Sequence, residues 1–343
     1  MTEISRESQV AKLDGFDRGF IATHLISIGA RLGLFRTLNE AKEGLAVQDL
    51  SLKLELHEPY VDLWCKAAYA LEILDCDDDV RFRLQPWLDE ILADESHFRN
   101  MVGGFKLKAD VVGEFLRTAP DYYRTGEVVS EVYTPEVTAA VGEATKGAHL
   151  AIGFYLATLP EDTPIKQRLA EGARLLDIGC GAGNFVIQLA QTFVNSRFVG
   201  VDPDSHGVEA ARSMISQLGL AERVSVENLG GEEVRYEAEF DVVSMFLVFH
   251  EILPDVRVSV VENAYRSLRQ DGQLLVFDFR YPDKLEDFRD PGFQAGIMDQ
   301  FFETCLGVVH LSAREQDRLL ATVGFRNILR TSLGPMDIVT ATK

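Results

Sequence analysis

Apolar residues recur every three or four positions through "FDRGFIATHLISIGARLGLFRTL" (16–38), "VQDLSLKL" (47–54) and "PYVDLWCKAAYALEIL" (59–74), and that spacing predicts helices. The segment "DCDDDVRFRLQ" (75–85) has a turn-rich acidic start and an alternating end, so it predicts a small hairpin. Helices followed by a hairpin make a winged-helix pattern. Further helices are expected over roughly 97–117 and 135–158, separated by an aromatic loop, "APDYYRTGEVVSEVYTP" (119–135). Beyond residue 173 the pattern changes to short apolar runs alternating with amphipathic ones. The runs "RLLDIG", "RFVGVD", "RVSVEN", "FDVVSMF" and "QLLVFDF" read as strands, with helices such as "NFVIQLAQTFV" and "RVSVVENAYRSLRQ" between them. "FRNILRTSLGPMDIVTAT" closes the chain as two strands joined by a Gly-Pro turn, so one of the pair runs against the rest. The fold class expected is α/β: a doubly wound seven-stranded sheet with its last strand antiparallel, preceded by a mostly helical winged-helix domain. The expected divisions are 1–96, a helical connector and lid over 97–165, and 166–343.

A chain of 343 residues exceeds one ordinary core, which agrees with more than one domain. No apolar run is long enough to span a bilayer, and "MTEISRESQV" lacks the basic start and apolar stretch of an export signal, so the expected location is cytoplasmic. Cys65, Cys76, Cys180 and Cys305 show no CxxC spacing; neither disulfides nor a metal site is expected. The formal net charge of -20 repels nucleic acid and anionic membranes and favours a small-molecule partner. The helix that would read DNA in a winged-helix domain carries Glu58, Asp62 and Glu72 against Lys66, the opposite of what phosphate contacts need.

"LLDIGCGAGNF" (175–185) places Asp177 at the end of the first strand and Gly179, Gly181 and Gly183 in the turn to the next helix, where side chains would block a ligand. Asn184 stands where a dinucleotide fingerprint needs its last glycine, which disfavours a nicotinamide dehydrogenase. Asp202 ends the next strand, nineteen residues after Gly183, where ribose hydroxyls are held.

These motifs resemble those of class I S-adenosylmethionine-dependent methyltransferases. "LLDIGCGAGNF" is similar to their first motif, "VGVDPD" to their second and "FDVVSMFLVFHE" to their fourth strand. The resemblance implies S-adenosyl-L-methionine as cofactor, held by Asp177 at its amino end, by Gly179, Gly181 and Gly183 along its methionine part, and by Asp202 at the ribose. Pro203, Leu229, Gly230 and Phe246 complete the implied set. The family's adenine-facing acid is missing from "VENLGGEE", with Glu232 as a possible substitute. "ATHLISIGARLGLFRTL" and "LAVQDLSLKLEL" resemble the dimerisation region of small-molecule O-methyltransferases, which implies a homodimer.

The chemistry is expected in "FLVFHEILPD", just past the fourth strand, at the carboxyl edge of the sheet. Methyl transfer from a sulfonium needs alignment and exclusion of water, and an acceptor hydroxyl also needs a base. In the resembled subgroup a His followed by an acid is that base, which implies His250 with Glu251, oriented by Asp278. A second orienting acid would fall where this chain has His310. Tyr122, Tyr123, Tyr133, Met298 and Phe302 are expected to wall the acceptor pocket, with Arg124 and Arg280 as possible contacts to an acidic acceptor. The alternatives are S-methylation of a thiol or thioether without an essential base, and a cofactor-binding regulator without turnover.

Overall fold

The computed structural model describes residues 4–129 and 133–343. The chain forms two compact units, Met1–Glu114 with Glu143–Ala151, and Phe115–Gly142 with Ile152–Lys343.

The first unit opens on α1 (Arg6–Arg31), which starts well before the predicted residue 16. Its first turns carry only Val10 and Leu13 as large apolar residues, too sparse a stripe for periodicity to register; Ser5 and Ser8 cap the end reciprocally. The predicted single helix breaks at Gly33, left-handed at φ 72°, before α2 (Leu34–Glu40). Then come α3 (Val47–Leu54) and α4 (Glu58–Ala70). Leu74, predicted as the end of the last helix, instead begins β1 (Leu74–Cys76), paired antiparallel with β2 (Phe82–Leu84). Leu34, Phe35, Leu50, Trp64 and Leu74 fill the core. The Phe35 and Trp64 rings meet edge-on at 5.4 Å, and the Trp64 indole donates to the Leu25 carbonyl at 3.0 Å.

A helical run follows: α5 (Val102–Leu107), a π-turn over Lys108–Val112, and α6 (Gly113–Thr125). Here the expectation of a loop from residue 119 is wrong at its start, because α6 continues past Pro120. Asp121 holds the final turn, pairing with Arg124 at 2.8 Å and accepting from the Thr125 hydroxyl through its carbonyl at 3.1 Å. Residues 130–132 of that loop lie outside the described residues. Next come α7 (Pro135–Thr158), capped by Thr134, and α8 (Pro164–Glu171).

In the second unit β3 (Arg174–Ile178), β4 (Arg197–Asp202), β5 (Val224–Asn228), β6 (Phe240–Phe246) and β7 (Leu268–Phe279) run parallel. Between and around them lie α9 (Asn184–Thr192), α10 (Ser205–Gln217), α11 (Pro254–Ser267), α12 (Gln294–Glu303) and α13 (Ala313–Val323). The closing hairpin is β8 (Arg326–Leu333) and β9 (Met336–Thr342); β9 inserts antiparallel between β7 and β8, giving the order β5-β4-β3-β6-β7-β9-β8. The central strands are buried along almost their whole length, which explains their continuous apolar runs. Strand order reverses between β3 and β6, and a doubly wound sheet opens its ligand crevice at the carboxyl ends beside such a reversal.

Phe35→Ala should empty a fully buried position and lower the unfolding free energy by about 3–5 kcal/mol, read as a shift of the denaturant midpoint. Phe35→Leu should lose less than half of that.

Candidate functional site

The glycines of the bend after β3 do different work. Gly179, Gly181 and Gly183 all have left-handed backbones, with φ of 78°, 49° and 76°. A Cβ on Gly179 would lie 2.1 Å from a Val248 methyl, and one on Gly183 would lie 2.8 Å from the Ala211 Cβ. Those two are bare for internal packing. Only Gly181 faces open space, with nothing within 4 Å of a built Cβ. The expectation that all three clear room for a ligand is thus narrowed to Gly181.

Two acids flank this opening. Asp177 is 1% exposed and accepts from the Ser244 hydroxyl at 2.6 Å. Burial pushes its carboxyl up to about 7, outweighing the Ser244 bond. Asp202 braces the bend: one oxygen accepts from the Gly181 amide and the other from the Asp204 amide, both at 2.8 Å. Burial raises its carboxyl too, against those two bonds. Pro203 and Leu229 sit beside it, with the Asn228 amide bridging the carbonyls of Asp202 and Pro203 at 2.9 Å and the Leu229 amide bonded to the Asp202 carbonyl at 3.0 Å. Gly230 is buried and lets the Glu232 carboxylate fold close, 2.6 Å from a built Cβ. Phe246 is a core residue, its ring stacked between Phe185 at 5.0 Å and Phe277 at 4.8 Å.

Leu247 leaves β6 with a left-handed φ of 52° and swings the chain into a turn that carries His250. Asp278, on β7, grips that residue twice: one oxygen accepts from the His250 amide at 2.9 Å, the other meets the ring Nδ1 at 2.5 Å. His250 Nε2 is left facing Asp299 at 3.5 Å, Glu303 at 3.6 Å and Glu251 at 3.9 Å. His310 joins the same group, with Nε2 3.1 Å from Glu303 and 3.6 Å from Asp299, and its ring centre 4.6 Å from that of His250. His250, Asp278, Glu303 and His310 are each at most 5% exposed, whereas Glu251 lies at the rim. Burial works against a proton on His250, but Asp278 and Glu303 outweigh it and hold the imidazole well above its ordinary value. Glu303, raised by burial, is held down to about 2 by His250.

Sequence reasoning singled out His250, Glu251, Asp278 and His310, and the structure places these four side by side. It missed Asp299 and Glu303. The signal was present: two acids at i and i+4 share one face of α12, and one of them sits amid phenylalanines in "MDQFFETC".

Arg257 ties the two histidine-bearing loops. Its guanidinium is buried and donates to the carbonyls of Ile252 at 2.7 Å, Val309 at 2.6 Å and His250 at 3.5 Å. Of the expected pocket walls, Tyr122, Tyr123 and Phe302 line one apolar cavity of about 140 Å³ with Leu116, Val128 and Phe301. Tyr133 is partly exposed and its phenol is raised by burial and then by the carboxylates of Glu251, Asp202, Asp204 and Glu232. Met298 is 62% exposed and does not line the cavity. Arg124 pairs with Asp121, and Arg280 lies over the Phe293 ring with Asp337 3.7 Å away, so each guanidinium already has a protein partner.

Residues 176–274 match a family described as a methyltransferase domain. A 27-O-demethylrifamycin SV methyltransferase of Amycolatopsis mediterranei is 37% identical over 144 residues, 39% of this chain and 52% of that protein. The chain spans about half the length, or less, of the curated relatives it matches. Among solved structures, human N-acetylserotonin methyltransferase in complex with S-adenosylmethionine aligns with a TM-score of 0.78 at 16% identity, over 100% of this chain and 99% of that one. An O-methyltransferase-like protein from Nostoc punctiforme aligns over 100% of both chains with a TM-score of 0.77, also at 16% identity. At such identities the likeness to the solved structures is one of fold. Residues 176–274 match a methyltransferase domain, and the chain has the class I S-adenosylmethionine-dependent methyltransferase fold.

Proposed function

We propose that the protein transfers the methyl group of S-adenosylmethionine to an oxygen of a small-molecule acceptor, with His250 as the base. The observation that carries this reading is the shared edge: the Gly181 opening between Asp177 and Asp202 lies at the carboxyl ends of β3 and β4, and the Asp278-clamped His250 follows β6, the strand next to β3. The residues fit the cofactor. Gly181 leaves room where a side chain would intrude, Asp177 offers a buried carboxyl to an ammonium, and Asp202 offers its oxygens to ribose hydroxyls. Bound there, S-adenosylmethionine supplies a methyl group activated by its sulfonium. Asp278 fixes the His250 ring with Nδ1 engaged, so Nε2 is the atom that takes the acceptor proton once the ring is neutral; because Asp278 and Glu303 hold the imidazole above its ordinary value, transfer to hydroxyls should rise with pH. The apolar cavity bounded by Tyr122, Tyr123 and Phe302 supports an acceptor with an apolar or aromatic body.

Transfer of labelled methyl into a panel of phenols, hydroxy acids, thiols and thioethers tests the reading. His250→Ala should slow transfer to hydroxyl acceptors by about 10²–10⁴-fold while cofactor affinity stays within about twofold. Full activity of that variant on a hydroxyl acceptor would remove the base role, and activity confined to thioethers would move the acceptor atom to sulfur. Cofactor binding with no transfer to any acceptor would make the protein a regulator.

Asp177 gives cofactor binding a pH dependence. Its folded value of about 7 lies above the ordinary 3.8, so the apo protein keeps the carboxyl protonated between these values, and its stability should fall as pH rises from about 4 to about 7. An ammonium partner favours the ionised form. Affinity for S-adenosylhomocysteine should therefore rise with pH up to about 7 and then level, with proton release below that point, measured by calorimetry in buffers of different ionisation enthalpy. Asp177→Asn should bind more weakly at pH 8 and lose the slope.

A homodimer is proposed through the first unit, where Val10, Leu13, Phe16 and Phe20 share one exposed face of α1. Light scattering at micromolar concentration should give twice the chain mass, and Phe16→Glu with Phe20→Glu should give the monomer; a monomeric parent would refute the proposal.

A further inference from the structure

Nothing in the cysteine or histidine spacing pointed to a metal, yet we infer that His250, His310, Asp299 and Glu303 form a binding site for one divalent transition-metal ion. Each residue offers one ligand atom, and all four atoms lie within 4.8 Å of one another. His250 Nε2 is 3.5 Å from Asp299 and 3.6 Å from Glu303; His310 Nε2 is 3.6 Å from Asp299 and 3.1 Å from Glu303. Three of these separations are long for an N–H···O bond. Ligands held about 2.0–2.2 Å from a tetrahedral ion stand about 3.3–3.6 Å from each other, the spacing of three of these four pairs; the His310–Glu303 pair is closer at 3.1 Å.

The surroundings point the same way. Asp278 occupies Nδ1 of His250 at 2.5 Å, the carboxylate-to-histidine arrangement that fixes a metal-binding ring with Nε2 turned to the ion. His310 Nδ1 is buried without a hydrogen-bond partner, so the ring's polar engagement is through Nε2 into the cluster. Asp278, Asp299 and Glu303, with Glu251 at the rim, concentrate negative charge in a largely buried place. The neighbouring cation, Arg257, spends its guanidinium on the carbonyls of Ile252, Val309 and His250. A divalent ion would offset that charge. Two imidazoles and two carboxylates, with no thiolate among them, suit manganese, ferrous iron or zinc rather than a soft monovalent ion.

The ion's role rests on the methyl-transfer reading, while its presence does not. Positioned beside the acceptor, it would draw an oxygen donor to the end of β6. With Nε2 of His250 on the ion, that nitrogen would no longer take the acceptor proton; the ion would acidify the acceptor hydroxyl instead, and the proton would pass to solvent or to Glu251 at the rim.

The test uses the full chain, stripped with a chelator and then titrated with manganese(II) or zinc(II) alone, with bound metal counted by mass spectrometry and affinity measured by calorimetry. One ion per chain is expected. Glu303→Gln and His310→Ala should each weaken binding by at least about 100-fold, and Asp278→Asn by about 10–100-fold, with S-adenosylhomocysteine affinity preserved as the check on folding. Absence of a stoichiometric ion, or unchanged affinity in the Glu303 and His310 variants, would overturn the site and leave an ion-pair network. Full transfer by the stripped chain would overturn the ion's part in the reaction. A loaded chain that transfers to no acceptor would instead overturn the methyl-transfer reading and leave the site standing.

Discussion

One carboxylate organises the candidate site. Asp278 sits near the carboxyl end of β7, paired in register with Asp337 of β9, and is almost wholly removed from water. A buried carboxylate is tolerable only when its lone pairs are taken, and the His250 amide, the His250 ring and the Phe279 amide take them. The same bonds fix the turn after β6, the rotamer of the imidazole and the nitrogen it presents. Solvation demand and functional geometry are satisfied by one set of contacts.

A parallel economy governs the neighbouring strands. Asp202 closes the glycine bend by accepting the Gly181 amide, which joins the end of β4 to the turn that leaves β3. Gly179 and Gly183 meanwhile let Val248 and Ala211 pack against that turn. Val248 lies two residues before His250, so the bend on one side of the strand reversal touches the turn on the other. The two halves of the crevice are packed on each other and not merely adjacent.

Much of this was legible in the chain. β3, β4 and β6 are buried on both faces, so their apolar runs stand out, and the Gly-Pro turn between β8 and β9 marks the hairpin directly. His250 and Asp278 could be located because strand ends are fixed by those runs, whereas His310 was reached only through the resemblance, as the residue standing where a second orienting acid would fall. The start of α1 was hidden because its apolar positions, Val10 and Leu13, are few and set among polar residues, so the stripe is thin there. The turn beyond Pro120 was hidden because proline is read as a stop, while the Asp121 contacts that sustain the turn are local ones, to Arg124 and Thr125, that form only once the helix exists. Asp299 and Glu303 were obscured for a different reason. Their helix is bordered by exposed and aromatic residues, and which face turns inward is decided by packing that periodicity does not encode. The glycine triplet was recognised correctly as a bend, but a sequence cannot tell which bare Cα opens outward and which is pressed against a neighbour.

The buried guanidinium of Arg257 has a consequence for how such a protein can change. By holding the carbonyls of His250 and Val309 it ties together the two loops that carry the imidazole rings. Remodelling of the segment from residue 280 to 309 toward a different guest molecule is therefore free at its outer positions and restricted wherever it must still meet that planar cation. Substitutions along that segment's outer face leave these bonds untouched, so the spacing of the two rings is insulated from changes there.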